Sequence, residues 1–142
     1  MAGPTVRHIG VVVPDLDAAI ETFRSLFGME PEGRQERPDV GVRLVMFNAA
    51  NVTIELLQYL DYGSTFSKDV MGARNGINHV CFEVDDIERA IEDMDAKGVK
   101  IIDGFPVRGA HGKVAFFSPA KTHGFFFEVC QPDPAHQERT PE

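Results

Sequence analysis

Cysteine, positive charge and long apolar runs are all scarce in this chain. Only Cys81 and Cys130 carry thiols among 142 residues. Two cysteines do not make a disulfide framework, and both sit in apolar, strand-like surroundings. Two reduced thiols are therefore expected, and with them a cytoplasmic or organelle-matrix location. Lysine and arginine number 14 against 22 aspartates and glutamates, a formal charge of −8. Nonspecific nucleic-acid binding needs a basic footprint that releases counterions, so no nucleic-acid partner is expected. A local cluster of Lys and Arg could still hold an anionic ligand. No apolar run approaches the roughly 20 residues that span a bilayer, and MAGPTVRHIG lacks the basic-plus-apolar build of a signal, so no membrane partner is expected. What remains is ordinary for a globular domain: 43% hydrophobic and 25% charged residues in a chain the size of one domain.

The chain repeats itself. Shifted by 71 residues, HIGVVVPDLDAAIE (8–21) falls on HVCFEVDDIERAIE (79–92). Six of the 14 pairs are identical, His8/His79, Val13/Val84, Asp15/Asp86, Ala19/Ala90, Ile20/Ile91 and Glu21/Glu92, where chance gives about one. Further on, TIELLQ (53–58) lies on FFEVCQ (126–131) at an offset of 73, pairing Glu55 with Glu128 and Gln58 with Gln131. A small module has been duplicated, and its copies differ by two residues of loop.

Each copy reads as strand, helix, then strands. VRHIGVVV and NHVCFEV are β-rich. Asp15 and Asp86 then offer N-caps, followed by apolar residues at helical spacing: Ile20, Phe23 and Phe27, or Ile91 and Met94. Gly28 and Gly98 stand where C-cap glycines belong. VRLVMFN and VTIELLQ form a hairpin around residues 49–51, and KVAFFS and GFFFEVC another around residues 119–124. Residues 29–41, rich in Pro and Gly, leave strand and loop both open. Module one covers about 6–58, a short linking helix about 63–75 and module two about 77–131; the polar tail, 132–142, is expected to fray.

Strand periodicity selects four residues. Successive side chains alternate between the faces of a strand. Ile9, Val11 and Val13 therefore oppose His8, and Val80, Phe82 and Val84 oppose His79, Cys81 and Glu83. Ile54 and Leu56 pack on the helix, leaving Thr53, Glu55 and Leu57. Phe125, Phe127 and Val129 pack likewise, leaving Phe126, Glu128 and Cys130. A single strand histidine is more often a satisfied core residue than a ligand, and a lone strand glutamate usually faces water. A His…Glu pair at equivalent positions of a repeat is a different matter. If the sheets curl together, the four side chains line one cup, where unpaired charge would cost several kcal/mol. A divalent ion removes that cost. His8, Glu55, His79 and Glu128 are therefore expected to bind one metal. Their mixed N/O set, with two open positions, suits Co2+, Mn2+, Ni2+ or Fe2+, and Zn2+ less typically. Two open positions can hold two oxygens of a substrate, which is Lewis-acid chemistry on an enolate or enediolate. Cys81 and Cys130 read as small fillers of that face.

These stretches resemble the vicinal oxygen chelate, or glyoxalase-fold, superfamily and, within it, the methylmalonyl-CoA epimerases. The likeness runs from about 6 to 131. It is carried by HIGVVVPDLDAAIETF, VTIELLQYL, GSTFSKDVMGARNGINHVCFEVDDIERAI and VRGAHGKVAFFSPAKTHGFFFEV. It implies an α+β fold of two tandem βαβββ modules forming a cup-shaped mixed sheet with helices outside. It also implies a homodimer and a metal-dependent epimerase acting on a malonyl-type acyl-CoA. Glu128 and Glu55 then become catalytic as well as metal ligands. Lys68, Arg74, Lys113 and Lys121 become candidates for the CoA phosphates, and His111 lies near the substrate. The sequence departs from the epimerase pattern at Leu44, where a basic glutamate is usual, at Ser118-Pro119-Ala120-Lys121 and at His123-Gly124. Other activities stay open: a glyoxalase-type lyase or isomerase, an Fe2+ dioxygenase using His8, His79 and Glu128, or a binding protein without turnover.

Overall fold

The structure, a computed structural model, describes residues 3–61, 64–109 and 111–134. The expected tail beyond residue 134, with His136, lies outside the described residues, as does Gly63 of the linking segment. Two compact units make up the chain, residues 8–78 and residues 79–142 with 1–7. Each is a mixed sheet with a helix on one face, so the chain is α+β.

In the first unit, β1 (Val6–Val12), α1 (Leu16–Phe27), β2 (Glu32–Arg37), β3 (Val42–Asn48) and β4 (Thr53–Tyr59) give a sheet of order β2-β3-β4-β1. The β1–β4 pairing is parallel and the others antiparallel. α2 (Phe66–Met71) follows. In the second unit, β5 (Gly76–Glu83), α3 (Ile87–Ala96), β6 (Val107–Arg108), β7 (Gly112–Phe116) and β8 (Phe127–Pro132) repeat the pattern as β5-β8-β7-β6, with β5–β8 parallel. This is the βαβββ module twice.

The two helices begin by the same device. Asp15 accepts the Ala18 N–H and Asp86 the Arg89 N–H, which satisfies donors that lack a helical partner. Gln58 of β4 accepts the Leu16 N–H at 2.8 Å, and Gln131 of β8 accepts the Ile87 N–H at 3.0 Å. Each strand thus holds the first residue of its own unit's helix. At the far end of α1, Gly28 takes a left-handed φ of 63°, which costs glycine no Cβ clash. α3 stops one residue before the predicted cap. Lys97 caps it, and Gly98 follows with its N–H on the Asp95 carbonyl.

Both cores lie between sheet and helix. Leu16, Ile20, Val45, Phe47 and Leu56 close the first, with Val11, Val13, Phe23 and Ile54 packed against them. Ile87, Ala115, Phe117, Phe127 and Val129 close the second, with Phe82, Val84, Ile91 and Met94. Two apolar residues depart from expectation. Phe27, in the last turn of α1, is 62% exposed, and Phe125, which precedes β8, is 46% exposed. Periodicity places a residue on a face, but an element's end runs past the core it faces. The open stretch 29–41 contains β2, a polar edge strand paired, among the described residues, only with β3 and with its register shifted between Glu32 and Gln35. No described helix is long and apolar enough to cross a membrane.

Candidate metal centre

The strand register puts one His–Glu pair in each unit. In the first, parallel β1 and β4 set His8 opposite Thr53 and Gly10 opposite Glu55. Residues paired across strands share a face, and so do residues two apart on one strand. His8 and Glu55 therefore leave the sheet on the face away from α1. Their Nε2 and Oε1 atoms are 3.9 Å apart. The second unit repeats this arrangement: Cys81 stands opposite Glu128 in the β5–β8 register, as Gly10 does opposite Glu55. His79, two residues before Cys81, brings its Nε2 to 3.3 Å from Glu128 Oε1.

These groups are withdrawn from water. His79 is 2% exposed and Glu128 6%. The Phe116 ring meets the His79 imidazole edge-on at 5.0 Å, and Phe105 and Phe126 pack against Phe116. Phe116 is also the antiparallel partner of Glu128. An apolar wall beside a carboxylate and an imidazole lowers the local dielectric and strengthens any charge interaction there.

The donor set suits a divalent cation. Two N or O donors that share an ion at about 2.1 Å, with an angle of roughly 90–110°, lie about 3.0–3.4 Å apart. The His79–Glu128 separation is already in that range. The His8–Glu55 pair needs a closing movement of about half an ångström or a wider angle.

Several neighbours were not apparent from the sequence. Thr53, opposite His8, donates its hydroxyl to Asn48 Oδ1 at 2.8 Å, and the Asn48 amide donates in turn to Glu32. This polar chain runs along the face of His8 from β4 to the edge strand. Arg7, itself buried, donates to Glu83 Oε1 at 3.1 Å. Gln58 and Gln131 stand three residues beyond Glu55 and Glu128 and pin those strands to the helices. Only the repeat alignment pointed to the two glutamines, and it carried no sign of their reach.

The residues expected at the substrate are more scattered. Lys68 is exposed on α2, Arg74 is exposed beyond it, and Lys121 is exposed on the 3-10 turn Pro119–Lys121. Lys113 is exposed and pairs with Gln131, which places it on the helix-bearing face of β7, opposite to the face of Glu128. The carbonyl of His111 accepts the Asp133 N–H at 2.9 Å. Leu44 is buried on β3 between Gln35 and Leu57, on the face of Glu55, and presents no titratable group there.

The chain belongs to the Glyoxalase/Bleomycin resistance protein/Dioxygenase superfamily, whose family model matches residues 7–117. Among its relatives is the ethylmalonyl-CoA/methylmalonyl-CoA epimerase of Cereibacter sphaeroides, 36% identical over 129 residues, which are 89% of this chain and 96% of that protein. The crystal structure of methylmalonyl-CoA epimerase from Mycobacterium tuberculosis superposes with a TM-score of 0.80 at 25% identity, covering 95% of each chain. A methylmalonyl-CoA epimerase in complex with methylmalonyl-CoA and NH4+ gives a TM-score of 0.79 at 26% identity, covering 94% of this chain and 97% of that one. The resemblance read from the sequence and the expected α+β glyoxalase fold are both borne out.

Proposed function

We propose that this chain is a metal-dependent epimerase of a 2-substituted malonyl-type acyl-CoA, with methylmalonyl-CoA as its substrate. One observation carries the reading: a His–Glu pair occurs twice at equal register, in a chain whose relatives are epimerases of that substrate class. His8, Glu55, His79 and Glu128 hold one divalent ion of the Co2+, Mn2+, Ni2+, Fe2+ or Zn2+ group, with the two units acting as one domain. When bound, that ion supplies positive charge beside the substrate oxygens as negative charge develops on them.

The chain's own residues handle the proton. Epimerisation needs a base on one face of the α-carbon and a proton donor on the other, each within hydrogen-bond reach. Glu128 takes the proton on one face, its carboxylate set against the Phe116 wall. With Leu44 apolar, Glu55 or His111 serves the other face. The wall of Phe105, Phe116 and Phe126 excludes water that would compete for the carbanion. Lys68, Lys113 and Lys121 are the candidate cations for the CoA phosphates, and Lys113 has the weakest position because of its face. A homodimer in the cytoplasm or an organelle matrix completes the proposal.

Solvent-deuterium exchange tests it. Metal-loaded protein incubated with one epimer of methylmalonyl-CoA in D2O incorporates deuterium at the α-carbon and yields both epimers. Absence of both exchange and epimer conversion refutes the epimerase.

A further inference from the structure

The asparagines of the chain are Asn48, Asn51, Asn75 and Asn78, and all but Asn75 are held or hindered. The Asn48 amide donates to Glu32, and the Asn78 amide donates to the Met71 carbonyl at 2.9 Å. Asn51 is exposed, but Val52 follows it, and a branched Cβ crowds the backbone nitrogen between them. Asn75 alone is followed by glycine. It lies between α2 and β5, in a run of exposed residues from Gly72 to Ile77. Gly76 takes a φ of 108°, and without a Cβ its nitrogen is unshielded. The run is tied at both ends, because the Tyr59 hydroxyl donates to the Gly72 carbonyl at 2.6 Å and Asn78 reaches back to Met71. Between those ties the backbone lies in water.

We propose that Asn75–Gly76 is a self-modifying site, at which Asn75 converts through a succinimide to isoaspartate and aspartate. The Gly76 amide nitrogen attacks Asn75 Cγ and gives up its proton. A C–N bond forms, the Cγ–Nδ2 bond breaks, and the leaving nitrogen departs with that proton as ammonia. Water then opens the ring at either carbonyl, so the net exchange is a water taken up for an ammonia released. Opening at the main-chain carbonyl leaves isoaspartate, whose backbone runs through Cβ and is longer by a single atom. Opening at Cγ leaves aspartate. Either product adds a negative charge beside Arg74, on the segment that leads into the strand of His79. Glycine is what makes the step accessible, because its nitrogen can approach Cγ from backbone angles that a side chain would forbid.

Incubating the full chain at mildly alkaline pH and mapping its peptides by mass spectrometry tests this, with the free peptide ARNGI and the Asn75→Gln variant in parallel. The peptide that carries Asn75 gains the mass by which OH exceeds NH2 and fragments as isoaspartate and aspartate. It does so at least about tenfold faster than the peptide that carries Asn51, and within about tenfold of the rate of free ARNGI. Asp103–Gly104 is also exposed, but it closes the same ring by losing water and without a change of mass, so the mass shift reads asparagine alone. In Asn75→Gln, whose longer side chain closes its ring more slowly, the shift disappears from that peptide. A shift that persists there belongs to Asn78 and overturns the proposal. So does a rate in the folded chain more than about tenfold below that of ARNGI, which would show that the fold shields the site, or a rate less than about tenfold above that of Asn51.

Discussion

Replacing Gln131 by leucine removes the side-chain acceptor of the Ile87 N–H without opening a cavity, because the two side chains are close in volume. The hydrogen bond is 3.0 Å long and Ile87 is fully buried, while Gln131 is half-buried, so an apolar side chain there leaves the abandoned donor poorly hydrated. Leaving a buried N–H unsatisfied costs about 1–3 kcal/mol. In a chain of this length, 1 kcal/mol moves the melting temperature by roughly 2–5 °C. Gln131→Leu therefore melts roughly 2–15 °C below the parent. Gln131→Glu keeps an acceptor oxygen and adds a negative charge at the start of α3, which the helix dipole favours by about 0.3–1 kcal/mol. That variant melts at or slightly above the parent. Gln58 makes the same bond to Leu16 at 2.8 Å, so Gln58→Leu and Gln58→Glu reproduce the contrast in the other copy. Calorimetry of the four variants at neutral pH reads these shifts. Leucine and glutamate variants melting within about 1 °C of each other would show that the glutamines do not anchor the helices.

Other consequences are as specific. Burial pushes the Tyr59 hydroxyl from 10.0 up to about 12. Between those values the unfolded chain has lost a proton that the folded chain keeps. This stability is whole below about pH 10 and drains away as pH climbs toward 12, by roughly 1–2 kcal/mol after discount for the half-exposed ring. Urea unfolding across that window shows the decline, and Tyr59→Phe flattens it. Gly112→Ala places a Cβ into the Gln131 carbonyl and Pro132, so the β7–β8 pairing loses about 2–3 kcal/mol by denaturant unfolding. Glu128→Gln lowers α-proton exchange by about 10^2- to 10^4-fold while keeping some metal, because an amide coordinates but takes no proton. A parallel fall of metal content and exchange would remove Glu128 from proton transfer.

Faces were more legible than edges. Period-2 alternation placed Val11, Val13, Ile54 and Leu56 toward α1, and Phe82, Val84, Phe127 and Val129 toward α3, because each buried face must be continuously apolar. The duplicated His–Glu pattern could be read for the same reason, since a repeat tests each position against its copy. β2 was not legible: EGRQER is a polar edge strand with no alternation, held by β3 and by ion pairs such as Arg34–Asp17 at 2.7 Å. The exposure of Phe27 and Phe125 was hidden too, because periodicity has no knowledge of where a core ends. The Gln58 and Gln131 contacts join residues 42 and 44 positions apart in the chain, a reach that no local pattern encodes.

The number of metal ions per chain tests the central claim most directly. Under the proposal that one ion takes both His–Glu pairs, protein loaded with Co2+, freed of excess ion and analysed for metal should hold about one ion per chain. His8→Ala/His79→Ala should hold none and lose the stabilisation that the ion confers on the parent. Two ions per chain, or full occupancy in the double variant, would contradict the shared centre.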